Sequence, residues 1–112
     1  MSDCLFCKIV AGDIPSDRVY EDDQVIVFKD IHPKADVHLL VIPREHVASL
    51  NELDISHDGV MAHIMRLLPK IAKEQGLNDG FRTIVNTGPG GGQIIYHLHV
   101  HLLGGPSLPG FE

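Results

Sequence analysis

Three histidines near the end of the chain, His97, His99 and His101, alternate with apolar residues. On a β-strand, successive side chains point to opposite faces, so the three imidazoles would share one surface while the residues between them cover a core. A histidine is largely neutral at pH 7 and serves as a nucleophile or, when protonated, as an acid. A protonated neighbour would also balance developing negative charge. The pattern therefore favours chemistry on a bound anion over a merely polar strand face.

A single metal ion held by all three histidines is the less favoured alternative. The outer two would lie about 13 Å apart along a strand, which is far more than zinc bonds of about 2.1 Å can span unless both rings lean sharply inward. An extended anion fits the spacing better.

A glycine-rich loop, residues 88–92, comes just before the histidine series. Backbone N–H groups freed by glycine can form a concave cradle for an anion, although a flexible connection is the other interpretation. Beside three aligned histidines, the loop favours phosphoryl or nucleotidyl transfer through a covalent phosphohistidine. Attack by histidine splits one difficult displacement into two easier steps.

Cys4 and Cys7 form a Cys-x-x-Cys pair at the start of the chain. Two thiols three residues apart build no disulfide framework, so the useful interpretations are metal binding or redox chemistry. The spacing is that of half a zinc site, which needs two more nitrogen or sulfur donors. Reduced thiols packed beside Phe6 are the alternative. A thioredoxin-like role is least favoured, because no strand-to-helix context precedes the pair.

The periodicity of apolar residues predicts an α+β domain that positions these groups, with a largely antiparallel sheet of five strands, one short helix and one long helix. A nearly continuous apolar run ending at Pro43 indicates a central strand buried on both faces. Pro69 is expected to kink the long helix or shift its register. The predicted elements are a helix over 5–10, strands over 19–21, 25–29, 37–42, 81–86 and 95–103, and a helix over 56–75.

Composition narrows the class of protein. A chain of 112 residues with 44% hydrophobic residues is typical of one globular domain, here predicted over residues 1–112. The net charge of −6 argues against nucleic-acid polymers and anionic membranes as partners. Apolar runs are too short for the roughly 20 residues that span a bilayer, and the acidic start at residues 1–3 is unlike a signal peptide. We therefore expect a cytoplasmic protein.

The histidine series and the segments around it resemble the signature of the histidine-triad superfamily. The likeness extends over nearly the whole chain, and its ending, His101-Leu102-Leu103-Gly104-Gly105, is most similar to the Hint-like branch. The resemblance implies a HIT-like fold, a homodimer, and hydrolysis of purine nucleoside phosphoramidates. The other matching segments are Phe6-Cys7-Lys8-Ile9, Ile14-Pro15, residues 20–23, 28–31 and 38–43, Val85-Asn86 and Gly91-Gly92-Gln93.

The resemblance also implies roles for individual residues. His99 would be the nucleophile that takes the nucleoside monophosphate, His101 would contact phosphate oxygens, His38 would orient the cluster, and His97 would support His99 through its main-chain carbonyl. Asp30 would hold the ribose hydroxyls, which suits a carboxylate because it only accepts hydrogen bonds. The phosphate-binding stretch matches Asn86, Gly92, Gln93 and Ile94, and the apolar base pocket matches Phe6, Ile9, Ile14, Phe28, Ile31 and Leu40.

Some superfamily members with an N-terminal Cys-x-x-Cys pair bind structural zinc, which here would use Cys4, Cys7, His46 and His97. No cofactor is expected for catalysis. Many relatives have Ser or Thr at the position of Ile94, so turnover here is expected to be slower or to use a backbone N–H instead. Three other functions stay open: a dinucleoside polyphosphate hydrolase or transferase, a non-catalytic nucleotide- or zinc-dependent module, and a metalloenzyme with the triad as ligands.

Overall fold

Five antiparallel strands form one sheet in a computed structural model that describes residues 4–108. The elements are α1 (Leu5–Ala11), β1 (Arg18–Glu21), β2 (Val25–Lys29), β3 (Val37–Pro43), α2 (Asp58–Glu74), β4 (Arg82–Ile84) and β5 (Val100–Gly104). The strand order in the sheet is β1-β2-β3-β5-β4. The predicted architecture is confirmed, with α1 as the short helix and α2 as the long one. No helix among the described residues is long and apolar enough to cross a membrane.

The central strand β3 separates two cores, as its continuous apolar sequence predicts. Leu39 and Val41 face the long helix α2, where a stripe of apolar residues repeats at helical spacing. Leu40 and Ile42 face the opposite side, where they pack in the same cluster as Phe6 of α1. The second face is the one that carries the histidines.

The long helix begins later than predicted. Residues Ile55–His57 form a separate 3-10 turn capped by Asp54, and the α-helix starts at Asp58. Pro69 lies inside the helix without ending it. Pro69 has no N–H to donate to the carbonyl of Met65 one turn earlier. Both residues lie on the exposed face of the helix, so water can hydrate that carbonyl.

The two last strands are shorter than predicted. The strand expected over 81–86 covers Arg82–Ile84, and the one expected over 95–103 begins only at Val100. The β3–β5 register would pair Pro43 with Leu98, but proline has no N–H to donate. Instead, the carbonyl of Pro43 accepts from His97 Nε2 at 2.8 Å, and the backbone N–H of Leu98 donates to Val47 at 2.7 Å. The first two histidines of the series therefore precede the strand.

Candidate active site and metal cluster

A cavity of about 820 Å³ opens on the α1 face of the sheet. Its volume is in the range of small-molecule sites, roughly 300–1,000 Å³. Most of the predicted nucleotide-binding residues line it together, although they come from distant parts of the chain. They are Phe6, Ile9, Ile14, Phe28, Asp30, Ile31, Leu40, Asn86, Gly92, Ile94, His99 and His101, and His38 lies beside them.

His99 is held by the backbone of the preceding histidine. Its Nδ1 lies 2.8 Å from the main-chain carbonyl oxygen of His97, and Phe6 packs edge-on against the ring at 5.1 Å. A carbonyl only accepts hydrogen bonds, so Nδ1 of His99 carries the hydrogen. The lone pair is then on Nε2, the nitrogen left for the cavity. A ring nitrogen with a free lone pair is the atom through which a histidine can act as a nucleophile.

A second hydrogen-bonded series fixes His38 and His101. The backbone N–H of Lys34 donates to His38 Nδ1 at 3.0 Å, which leaves the hydrogen of neutral His38 on Nε2. His38 Nε2 then donates to His101 Nδ1 at 2.9 Å. By the same reasoning, neutral His101 carries its hydrogen on Nε2. The cavity is therefore bordered by an acceptor nitrogen on His99 and a donor nitrogen on His101.

Burial keeps two of these rings neutral. Desolvation is the main cause that lowers the pKa of His101 to about 4, with further contributions from the neighbouring His99, His38 and Lys34 against the attraction of Asp30. Desolvation also lowers the pKa of His38, against the attraction of Asp30. The expectation that a protonated neighbour balances developing charge is therefore corrected for His101 in the ligand-free protein. Neutral His101 acts as a hydrogen-bond donor.

His97 belongs to a different cluster from the other two histidines. Its fully buried ring lies on the same side of the sheet and touches Phe6 at 5.9 Å, but it does not line the cavity. His97 Nδ1 lies 3.4 Å from Cys4 Sγ, 3.5 Å from Cys7 Sγ and 3.3 Å from His46 Nδ1. The surface predicted to be shared by the three imidazoles therefore contains two adjoining sites. His99 and His101 line the cavity, and His97 belongs to the cysteine and histidine cluster.

The cluster of Cys4, Cys7, His46 and His97 has the dimensions of a tetrahedral metal site. Bonds of about 2.3 Å to sulfur and about 2.1 Å to nitrogen give edges of about 3.6 Å between sulfur and nitrogen and about 3.4 Å between two nitrogens. The observed edges are 3.2–3.5 Å for sulfur to nitrogen and 3.3 Å between the histidines. Because Nε2 of His97 donates to the Pro43 carbonyl, the lone pair of Nδ1 faces the other donors.

A second group, Asp30, His38 and His101, also brings three potential ligand atoms within 4.8 Å of one another. Its hydrogen bonds do not suit a metal. A ligating histidine donates its other ring nitrogen to an acceptor, whereas Nδ1 of His38 faces the N–H of Lys34. Nε2 of His38 therefore carries a hydrogen where a metal would need a lone pair. Asp30, His38 and His101 are therefore not arranged as a set of metal ligands.

Gln93 differs from the other residues of the predicted phosphate-binding stretch. Its buried side chain accepts from the backbone N–H of Gly88 at 2.9 Å and donates to the carbonyls of Ala48 and Ile95 at 2.8 and 3.0 Å. These hydrogen bonds use both ends of the Gln93 amide to hold the glycine loop in place. The Gln93 side chain does not line the cavity. Gly92, with φ of +83°, turns the loop at that point.

Sequence reasoning missed the backbone groups that set the rings, above all the N–H of Lys34 and the carbonyl of Pro43. No residue type marks them, because any backbone supplies these atoms. His57 is buried and accepts from the backbone N–H of Asp54, and Nε2 of His63 lies 2.7 Å from Asp22.

Comparisons with known proteins agree with this fold. A family model described as scavenger mRNA decapping enzyme C-term binding matches residues 3–111. A histidine triad protein from Clostridium difficile has a structure that superposes with a TM-score of 0.93 at 47% identity, covering 100% of this chain and 98% of that one. This chain belongs to the histidine-triad family. Its relatives place it in the Hint-like branch, among the HIT-family nucleotide hydrolases.

Three curated relatives of this histidine-triad protein have different names. Protein HitA of Neisseria gonorrhoeae is 49% identical over 106 residues, covering 95% of this chain and 99% of that protein. A purine nucleoside phosphoramidase of Escherichia coli K12 is 43% identical over 105 residues, covering 93% and 88%. A 14 kDa zinc-binding protein of Zea mays is 42% identical over 109 residues, covering 96% and 85%.

The lowered pKa of His101 predicts a pH dependence of stability. Its folded pKa of about 4 lies below the ordinary histidine pKa of 6.5, so between these values the unfolded chain binds a proton that the folded protein does not bind. We expect the free energy of unfolding to fall as pH drops from 6.5 to 4, and to fall less steeply in His101→Asn. Histidine NMR titration combined with urea unfolding measures both. A His101 midpoint at 6.5 or higher would contradict this account of its burial.

Proposed function

We propose that this protein hydrolyses the P–N bond of purine nucleoside 5′-phosphoramidates through a nucleotidyl intermediate on His99. The observation that carries the proposal is the hydrogen bond from His99 Nδ1 to the His97 carbonyl, which leaves Nε2 as an unprotonated nucleophile at a nucleotide-sized cavity. The name of the Escherichia coli relative supports the choice of substrate class.

The cavity has suitable places for each part of a nucleoside monophosphate. Apolar side chains of α1 and β2, with Phe6 and Phe28 edge-to-face at 5.6 Å, suit a flat base. Asp30 Oδ1 accepts a hydrogen bond from the backbone N–H of His32. Its Oδ2 lies 3.4 Å from His38 Nε2 and would accept hydrogen bonds from a ribose diol. Asn86, Gly92 and the Nε2–H of His101 would hold the phosphate oxygens, with Gln93 supporting the loop.

The reaction proceeds in two displacements. Nε2 of His99 attacks the α-phosphorus, a P–N bond to the ring forms, and the P–N bond to the amine breaks. The amine leaves with a proton drawn from solvent, because Ile94 has no hydroxyl to relay one. Nδ1–H of the now cationic ring stays bonded to the His97 carbonyl, which stabilises the intermediate. Water then attacks phosphorus, releases the monophosphate and returns one proton to solvent.

We also propose that Cys4, Cys7, His46 and His97 hold one structural zinc ion. The edge lengths and the direction of the His97 lone pair support this site, as does the name of the maize relative. When bound, the ion would tie α1 to the segment before β5. Cys4 already caps α1, since its Sγ accepts from the backbone N–H of Cys7. Catalysis is proposed to need no cofactor.

A homodimer is part of the proposal. Strand β4 lies at the sheet edge, where Ile84 within the strand is 36% exposed and Phe81 just before it is 39% exposed. An apolar edge strand is normally covered, and a second copy of the chain would cover it. Analytical ultracentrifugation tests this, because we expect twice the chain mass of 12.3 kDa. A species with the mass of one chain at micromolar concentration would contradict the dimer.

Replacing the nucleophile tests the mechanism. We expect His99→Ala to lower kcat/KM for an adenosine phosphoramidate by about 10³-fold or more, because no other group can form the intermediate. His63→Gln is the matched control, since His63 lies on α2 beside Asp22 and away from the cavity. Thermal unfolding verifies that both variants fold. Wild-type turnover in folded His99→Ala would exclude His99 as the nucleophile.

Metal removal tests the zinc site separately. We expect one zinc ion per chain by elemental analysis, and none in Cys4→Ser/Cys7→Ser. Chelation should lower Tm, by about 4–8 °C for each kcal/mol of stability lost, while the folded protein keeps its turnover. His57→Gln, outside the cluster, should keep its metal. Metal retained by the double variant would contradict the site, and turnover abolished by chelation in protein that stays folded would favour a metalloenzyme instead.

A further inference from the structure

Lys34 places a positive charge at the cavity. It lies in the loop between β2 and β3, is exposed, and lines the cavity. Apart from histidines, the other charged side chains that the described residues contribute to the lining are Lys29 and Asp30. Lys29 lies 3.6 Å from Asp17, whereas no carboxylate within residues 4–108 forms an ion pair with Lys34. The Lys34 ammonium is therefore available to an anion that enters the cavity.

The backbone around Lys34 fixes the point from which this side chain extends. The N–H of Lys34 donates to His38 Nδ1 at 3.0 Å, and the N–H of Asp30 donates to the His38 carbonyl at 3.1 Å. The loop is thus tied to β3 at His38 through both a ring and a carbonyl. The flexible four-carbon stem of Lys34 starts one hydrogen bond away from the histidines that border the cavity.

The charge of Lys34 acts on these histidines. Desolvation is the main cause that lowers the pKa of His38 and His101, and the charge of Lys34 lowers both further. His99 and His38 add to the lowering at His101, whereas Asp30 opposes it. The neutral rings of His38 and His101 supply hydrogen bonds but no positive charge. Lys34 supplies that charge beside them.

A nucleotide brings negative charge that the site must balance. The phosphoryl group of a nucleoside phosphoramidate carries one negative charge at neutral pH, and a phosphate monoester such as the product carries about 1.5 to 2. Asp30 adds a carboxylate to the same cavity. Like charges held close together in a partly desolvated site repel each other unless a cation lies near them. Lysine binds phosphate as a point charge with three rotatable donors, so it can follow the anion.

We propose that the Lys34 ammonium binds the anionic phosphoryl group and makes the cavity select charged nucleotides over uncharged nucleosides. The inference rests on the proposed function and deepens it by naming the cation that recognises the charge of the substrate. Lys34 meets the anion both before and during reaction, so its effect is expected mainly on binding.

Calorimetry with AMP and adenosine tests the role of Lys34 without any turnover. We expect Lys34→Gln to weaken AMP binding by about 10-fold while adenosine binding stays unchanged, and Lys34→Arg to keep most of the AMP affinity. The AMP difference between wild type and Lys34→Gln should shrink at high salt, because salt screens an exposed charge. Lys73→Gln, near the end of α2 and outside the cavity, is the matched control.

Histidine NMR titration adds a measurement that a merely structural change would not reproduce. Every Lys34 variant keeps the backbone N–H that contacts His38, so only the side-chain charge is removed. We expect the pKa of His101 to rise in Lys34→Gln, with Asp30, His38 and His99 still facing it, and to stay low in Lys34→Arg. An unchanged His101 pKa in Lys34→Gln would contradict the placement of the charge beside the histidines.

These outcomes separate this inference from the proposed activity. A loss of affinity for AMP alone supports the role of Lys34 even if the protein cleaves no phosphoramidate. With a phosphoramidate that is cleaved, the loss in Lys34→Gln should fall on KM, by about 10-fold, more than on kcat. Unchanged AMP affinity in Lys34→Gln, or equal weakening of AMP and adenosine, would overturn the inference while leaving the assignment of His99 intact.

Discussion

The candidate active site depends on backbone groups that determine which nitrogen of each imidazole carries hydrogen. The carbonyl of His97 accepts from His99, the carbonyl of Pro43 accepts from His97, and the N–H of Lys34 donates to His38. Burial of the His38, His97 and His101 rings opposes protonation, so their donor and acceptor positions persist at neutral pH. A nucleophilic nitrogen on His99 and a donor on His101 follow from these contacts.

His97 connects the two halves of this arrangement. Its ring contributes to the cysteine and histidine cluster, and its main-chain carbonyl holds His99. The end of strand pairing at Pro43 allows both contacts, because the proline carbonyl accepts from the His97 ring instead of from a strand partner. His97 therefore belongs both to the cluster and to the peptide unit that contacts the proposed nucleophile. The same link joins the cluster to α1, whose Phe6 touches both rings.

The sequence predicted the architecture well because the apolar periodicities are strong. The alternation at His97, His99 and His101 correctly separated the histidine side from the core side, where Val100 and Leu102 are fully buried. It did not predict that the strand begins at Val100, since that boundary depends on a proline in another strand. The sequence also could not predict the ring tautomers or the structural role of the Gln93 amide. Both depend on hydrogen bonds to backbone atoms, which any residue type supplies.

The most direct test of the central claim is the tautomeric state of His99, read from the ¹⁵N shifts and long-range ¹H–¹⁵N couplings of its ring in the ligand-free protein near pH 7. We expect the neutral form of the ring to carry its hydrogen on Nδ1 and a lone pair on Nε2. A neutral ring with hydrogen on Nε2 would contradict the account, because the nitrogen facing the cavity would then have no lone pair for phosphorus.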